Sequence, residues 1–260
     1  MTAYYNENNP AMAAWLRALI QRGLVAAGDV DERSIEDVLP AELGGYDQHH
    51  FFAGIGGWSC ALRLAGWPDD RPVWTGSCPC QPFSQAGRRL GFADQRHLWP
   101  AWHWLIQQCR PATVFGEQVG RVGGARWLDL VFGDLEALDY ACGATVLPAC
   151  GVGAPHLRQR IFWLANADGQ GLSLGSQSEI LVGAVRDEGP ATGTGGLVRN
   201  PWLGCDWINL TDGTVRPVEP GTHPLAHGVP ARVVKLCGYG NALVPQVAAE
   251  FVRAVMECSE

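Results

Sequence analysis

The stretch that most restricts this chain is Thr75-Gly-Ser-Cys-Pro-Cys-Gln-Pro-Phe-Ser-Gln-Ala-Gly-Arg-Arg89, which sets Cys80 between Pro79 and Gln81-Pro82. An apolar, strand-like run from Arg71 to Gly76 leads into it, and a flexible Gly/Ser/Arg segment follows. Prolines on both sides fix the backbone and exclude helix, so the thiol is carried on a rigid turn at the end of a strand. Catalytic groups of open α/β sheets collect at such strand ends. This is a poor way to bury a cysteine and a good way to present one.

The 260 residues suffice for one sizeable domain with a small appendage. No apolar run approaches the roughly 20 residues of a membrane helix, and Met1 to Pro10 lacks a signal-peptide pattern. A cytoplasmic, monomeric protein without membrane association is expected. The nine cysteines lack a small-domain framework and read as reduced thiols. Cys78 and Cys80 form only a CxC with no second pair at zinc-finger spacing, so no metal is expected. The net charge of −7 argues against loose, charge-driven nucleic-acid binding but leaves room for local docking. Lys235 is the only lysine, and arginines cluster at 88, 89 and 96 and at 158 and 160. Arginine suits bidentate phosphate and base contacts, although a coding bias explains the general excess equally well.

Met12, Trp15, Leu16, Leu19 and Ile20 recur at helical spacing, which predicts an amphipathic helix ending near Gly23. Gly28-Asp29-Val30 and a short helix through Ser34–Val38 follow. From His49 the chain reads His-His-Phe-Phe-Ala-Gly-Ile-Gly-Gly-Trp, a strand opening into a glycine turn and a helix whose first N–H groups are free. A helix is predicted from Leu98 to Cys109, and a short buried strand over Thr113–Gly116 runs into Glu117-Gln118-Val119. A further helix (Trp127 to Leu138) and a strand (Tyr140 to Leu147) come next. Arg158 and Arg160, two apart at the entrance to the strand Ile161–Leu164, point to one face. Periodicity is lost from Asn166 to about Pro220, where Trp202, Cys205 and Trp207 are the apolar focus. A last helix carries Val247, Ala248, Phe251, Val252 and Val255.

Together these motifs resemble the cytosine-C5 DNA methyltransferases. The resemblance covers roughly residues 49 to 166 and 228 to 255, with Pro79-Cys80-Gln81 its most specific part. It implies an α/β fold, a Rossmann-like S-adenosylmethionine-dependent methyltransferase sheet with helices on both faces, plus a small irregular target-recognition region. The activity it implies is methyl transfer from S-adenosyl-L-methionine to C5 of a flipped-out cytosine in double-stranded DNA, through a covalent adduct of Cys80 with C6. Glu117 would hold the base, and Arg158 and Arg160 would contact the cytosine and a nearby phosphate. Phe52, Ala53, Gly54, Gly56 and Gly57, with Leu98 and, in the final Gly-Asn-Ala motif, Asn241 and Ala242, would hold the cofactor. Gln81, Ser84, Arg88, Arg89, Trp202 and Trp207 would meet DNA.

Two substitutions depart from the family pattern: Gln118 stands where asparagine is usual, and His156 where glutamine is usual. A larger departure is that only about two dozen residues separate the glycine turn from Cys80. The family normally places two more βα units there, which supply an acid for the ribose hydroxyls and an aspartate for the adenine. Gly28-Asp29-Val30 resembles the segment that carries that aspartate. Residues 1–48 are therefore expected to be an N-terminal helical segment that is either a relocated cofactor-binding piece, with Asp29 facing the adenine, or an unrelated cap. Residues 49–166 would form the catalytic core, 167–227 the target-recognition region and 228–260 the segment completing the cofactor pocket. A catalytically silent DNA-binding relative, and the same chemistry on RNA or with a modified donor, are the rival readings.

Overall fold

A computed structural model describes residues 2–79, 98–120, 122–154, 156–167, 206–209, 215–218 and 240–258. Its centre is a seven-stranded sheet built from β1 (Ala3–Asn6), β2 (Gly28–Asp31), β3 (Gln48–Phe51), β4 (Val73–Gly76), β5 (Thr113–Val119), β6 (Ala141–Leu147) and β7 (Arg160–Asn166). The spatial order is β2-β1-β3-β4-β5-β7-β6. Neighbours from β2 through β5 pair in parallel, whereas β7 runs antiparallel to both β5 and β6. Short parallel strands must be covered on both faces, and these read accordingly, with β1, β3 and β4 buried throughout.

Helices supply the cover. On one face lie α1 (Pro10–Gln21), α2 (Gly57–Ala65) and the C-terminal α5 (Pro245–Cys258); on the other lie α3 (Trp99–Cys109), α4 (Val122–Glu136) and the turns of residues 35–42. The period-2 alternation of β5 and β7 sorts their side chains between these layers. Phe115 and Phe162 pack with Trp58, Val247 and Phe251, while Val114, Ile161 and Trp163 pack with Trp102 and Trp127. Close packing leaves Gly116 no room for a side chain, because a Cβ there would lie 2.0 Å from Cε2 of Trp163. This is the Rossmann-like α/β sheet implied by the resemblance. Among the described residues no helix is long and apolar enough to cross a membrane.

Residues 1–48 are more than the helical segment expected. They contribute helix α1 and two strands of the main sheet, and β1 lies directly beside β3, the strand that carries the glycine turn. Tyr5 locks this unit in place: its hydroxyl donates to the Ala26 carbonyl at 2.7 Å and contacts Ser59 Oγ of α2 at 3.0 Å, which in turn accepts the Ala26 amide at 2.9 Å. One βα unit, β1 with α1, and the strand β2 with its 3-10 turns thus precede the glycine turn in sequence. The predicted short helix at Ser34–Val38 is a 3-10 turn, Ile35–Asp37. Within residues 167–227, Asp206–Asn209 (β8) and Val215–Val218 (β9) form an antiparallel pair.

Candidate active site

The C-terminal ends of β3, β4 and β5 and the start of β7 share one sheet edge, because β7 runs opposite to the others. β4 hands its chain to Ser77-Cys78-Pro79, immediately before Cys80. Cys80, Gln81, Ser84, Arg88, Arg89 and Trp202 lie outside the described residues. Trp207 falls on β8.

Glu117 is buried, 6% exposed, near the end of β5. Arg160 Nε meets its Oε1 at 2.7 Å, so the acid and the second arginine predicted from sequence form a paired group. Register explains the meeting: Val119 pairs with Arg160, and Glu117 with Phe162, so both side chains emerge on the α2 face. Burial pushes the Glu117 carboxyl above its ordinary range, while Arg160, a hydrogen bond from Ser77 and the charge of Arg158 pull the other way.

Ser77 was not singled out by the sequence. It follows Gly76, whose partner in β5 is Gly116, and this register sets its hydroxyl beside Glu117. Trp58 Nε1 donates to Ser77 Oγ at 3.2 Å, leaving the serine proton for the carboxylate. Gln118, the residue that departs from the family pattern, faces the other layer. Its Nε2 donates to the Cys78 carbonyl at 3.2 Å and its Oε1 accepts from the Val119 amide, so β5 braces the chain two residues before Cys80.

Arg158 does something different from Arg160. Its Nη2 donates to the carbonyls of Gly240 and Ala242 at 2.7 and 2.6 Å, joining the approach to β7 to the Gly-Asn-Ala segment. Burial and the neighbouring Arg160 charge push its guanidinium below the ordinary range. Asn241 is exposed and Ala242 half-buried, and Leu243 packs on the start of α2.

The glycine turn lies one strand further along. Phe52, Gly54 and Gly56 all take positive φ, at 52°, 56° and 76°. A Cβ on Gly54 would meet nothing within 4 Å, so the turn leaves space above its backbone, and α2 begins directly behind it at Gly57. Ala53 is half-buried, and its amide donates to the Asn6 carbonyl at 3.0 Å. Leu98 caps α3 at the border of the core.

A second residue that sequence reading missed is Glu7, the first residue after β1. Its Oε2 accepts from the Gly54 amide at 2.7 Å and its Oε1 from the Asn9 amide at 2.8 Å. Its signal was present: a short Tyr-Tyr-Asn-Glu run before an amphipathic helix is the start of a βα unit with an acid at the strand end. Asp29 is exposed at the second position of β2 and accepts from Tyr46 Oη at 3.0 Å. At the end of that strand stands Asp31, engaged by Arg33 at 2.7 Å and Tyr4 at 2.8 Å. Among the described residues no group of His, Cys, Asp and Glu side chains is placed to hold a metal ion.

Residues 66–183 match the model of the C-5 cytosine-specific DNA methylase family. It is 35% identical over 107 residues to the type II methyltransferase M.AgeI of Thalassovita gelatinovora, a stretch that is 40% of this chain and 25% of that protein. To the type II methyltransferase M.HhaI of Haemophilus parahaemolyticus it is 31% identical over 99 residues, 36% of this chain and 30% of that protein. The chain therefore matches between a quarter and a third of the length of these relatives. Among solved structures, the S. pombe Dnmt2 methyltransferase is matched with a TM-score of 0.49 and 14% identity, over 99% of each chain.

Proposed function

We propose that this protein is a DNA (cytosine-5-)-methyltransferase that uses S-adenosyl-L-methionine and acts on double-stranded DNA as a monomer. The observation that carries the reading is the buried Glu117–Arg160 pair, standing beside Ser77 at the sheet edge where the chain turns into Pro79-Cys80. Support comes also from the type II DNA methyltransferases that share this part of the chain.

The residues present fit the donor. The open turn at Gly54, the start of α2 behind it and the carboxylate of Glu7 offer backbone N–H groups for an anionic end and an acid for hydroxyls. Asn241 and Ala242 would close the pocket from the C-terminal segment, and Asp29 would serve the adenine from β2. When bound, S-adenosyl-L-methionine supplies an electrophilic methyl group on a sulfonium.

The chain supplies the rest. Cytosine carbon 5 is a weak nucleophile until a group adds at carbon 6, and the thiolate of Cys80 is suited to that addition and to leaving afterwards. As the Sγ–C6 bond forms, negative charge develops on the ring. Glu117, raised by burial, sits ready to share a proton with N3, and Arg160 holds both the carboxylate and the base oxygen. Once carbon 5 is methylated, loss of its proton and cleavage of the Sγ–C6 bond restore the aromatic ring. Since none of these atoms is reachable in a stacked duplex, the base must leave the helix, at a cost of a few kcal/mol. Residues 167–227 would read the bases around it.

A duplex carrying 5-fluorocytosine tests the reading, because fluorine at carbon 5 cannot leave as a proton does. With the donor present, wild-type protein should accumulate on such DNA as a complex stable to denaturant, and Cys80→Ala should not. Equal trapping of both proteins would remove Cys80 from the mechanism, and no trapping of either would remove the covalent route.

A further inference from the structure

We infer that Arg158 is the latch of the donor pocket: a positioning residue that holds residues 240–243 against the glycine turn, rather than a contact to the DNA backbone. The inference rests on the reading that this turn holds the donor. Two hydrogens are carried by Nη2, and the two carbonyls of Gly240 and Ala242 accept from it at 2.7 and 2.6 Å. The segment so held is seated on the donor side, since a Cβ at Gly57 would lie only 3.0 Å from Leu243 Cγ and Leu243 is buried. Arg158 itself takes a φ of +32°, a backbone state that a non-glycine residue keeps only when its surroundings hold it there.

The same short run of chain connects two sites. Two residues on, Arg160 is paired with Glu117 at the base site, while Arg158 reaches back to the segment on the donor side. The paired arginines of one motif thus have divided roles, one for the base and one for the pocket of the methyl donor. A phosphate-binding arginine would contribute to DNA affinity through counterion release, and its loss would reduce the salt dependence by about one unit of slope. A latch would leave that slope untouched.

The test compares wild type with Arg158→Met and Arg158→Lys. Calorimetry measures binding of S-adenosyl-L-homocysteine, and fluorescence anisotropy measures DNA binding across a salt series. Affinity for the nucleoside should weaken about tenfold or more in Arg158→Met and less in Arg158→Lys, with the DNA salt slope unchanged. Should Arg158→Met fail to fold, Arg158→Lys decides, because lysine keeps a phosphate contact but reaches less far than the guanidinium. Unchanged nucleoside binding with a slope lowered by about one would overturn the latch in favour of a phosphate contact. Lower thermal stability with both affinities unchanged would reduce the residue to a structural one and also overturn it. If wild type itself does not bind the nucleoside, the donor reading falls and the latch with it; equal binding by wild type and variants sinks the latch alone.

Discussion

Glu7 accepts a hydrogen bond from the amide of Gly54 at 2.7 Å, across 47 residues of chain. This contact joins the end of β1 to the glycine turn that follows β3, so the acid and the turn form one wall although β2 and its connection intervene in sequence. Strand pairing enforces the closeness, since Asn6 stands opposite Phe51.

If that wall holds the adenosine half of the donor, Glu7→Gln should weaken S-adenosyl-L-homocysteine binding by about one to two orders of magnitude, because hydrogen bonds to a charged acceptor are worth about 1.5–3 kcal/mol. DNA affinity should stay as it was. Calorimetry on the two ligands separately checks this, and unaltered nucleoside binding would exclude Glu7 from the pocket.

The Glu117–Arg160 pair makes a prediction with a direction in pH. Arg160→Met strips a buried carboxylate of its counterion, a change that costs about 3–5 kcal/mol in comparable sites. Because the carboxyl can escape by taking up a proton, the loss should be largest at neutral pH and shrink as the solution is acidified. Glu117→Gln should lower the methylation rate by about 10²–10⁴-fold with DNA binding retained. Thermal melts over pH and single-turnover kinetics read the two effects, and a near-normal Glu117→Gln rate would take the acid out of the mechanism.

His50, buried in β3, gives the fold its own acid sensitivity. Its Nδ1 lies 2.7 Å from Thr75 Oγ1 and its Nε2 3.2 Å from Gln48 Oε1, so a neutral ring donates to Gln48 and accepts from the threonine hydroxyl. Burial, with help from His49, lowers its pKa to about 3. The unfolded chain takes up that proton near pH 6.5, so the stabilisation is present above that value and is lost as pH falls toward 3, at up to about 1.4 kcal/mol per pH unit. His50→Gln should flatten the pH dependence of melting between pH 6 and 4, and an unchanged slope would exclude this histidine as its source.

Local patterns carried the elements at which each side of the sheet closes. Helical spacing located α1, α3 and α5, and the sequence singled out both partners of the Glu117–Arg160 pair. What local pattern could not carry was adjacency. β1 is four residues long, and nothing in Ala3–Asn6 states that it pairs with a strand more than forty residues later. Glu7 was missed for that reason, and β1 and β2 were not read as strands because within the N-terminal segment only α1 is long enough for its periodicity to show. Ser77 was missed because its role is a matter of register: the Gly76–Gly116 pairing, and no feature of the serine itself, brings it to Glu117. Arg158 is the subtler case: strand alternation would give two arginines two residues apart one face, but Arg158 precedes β7 at a φ of +32° and serves a different neighbour.

The most direct measurement is nucleoside mass spectrometry on plasmid DNA from cells that express the wild type beside cells that express Cys80→Ala. New 5-methyldeoxycytidine in the first DNA and none in the second is the result the account predicts. Equal amounts in both, or no methylated cytosine in DNA from cells that contain folded wild-type protein, would contradict it.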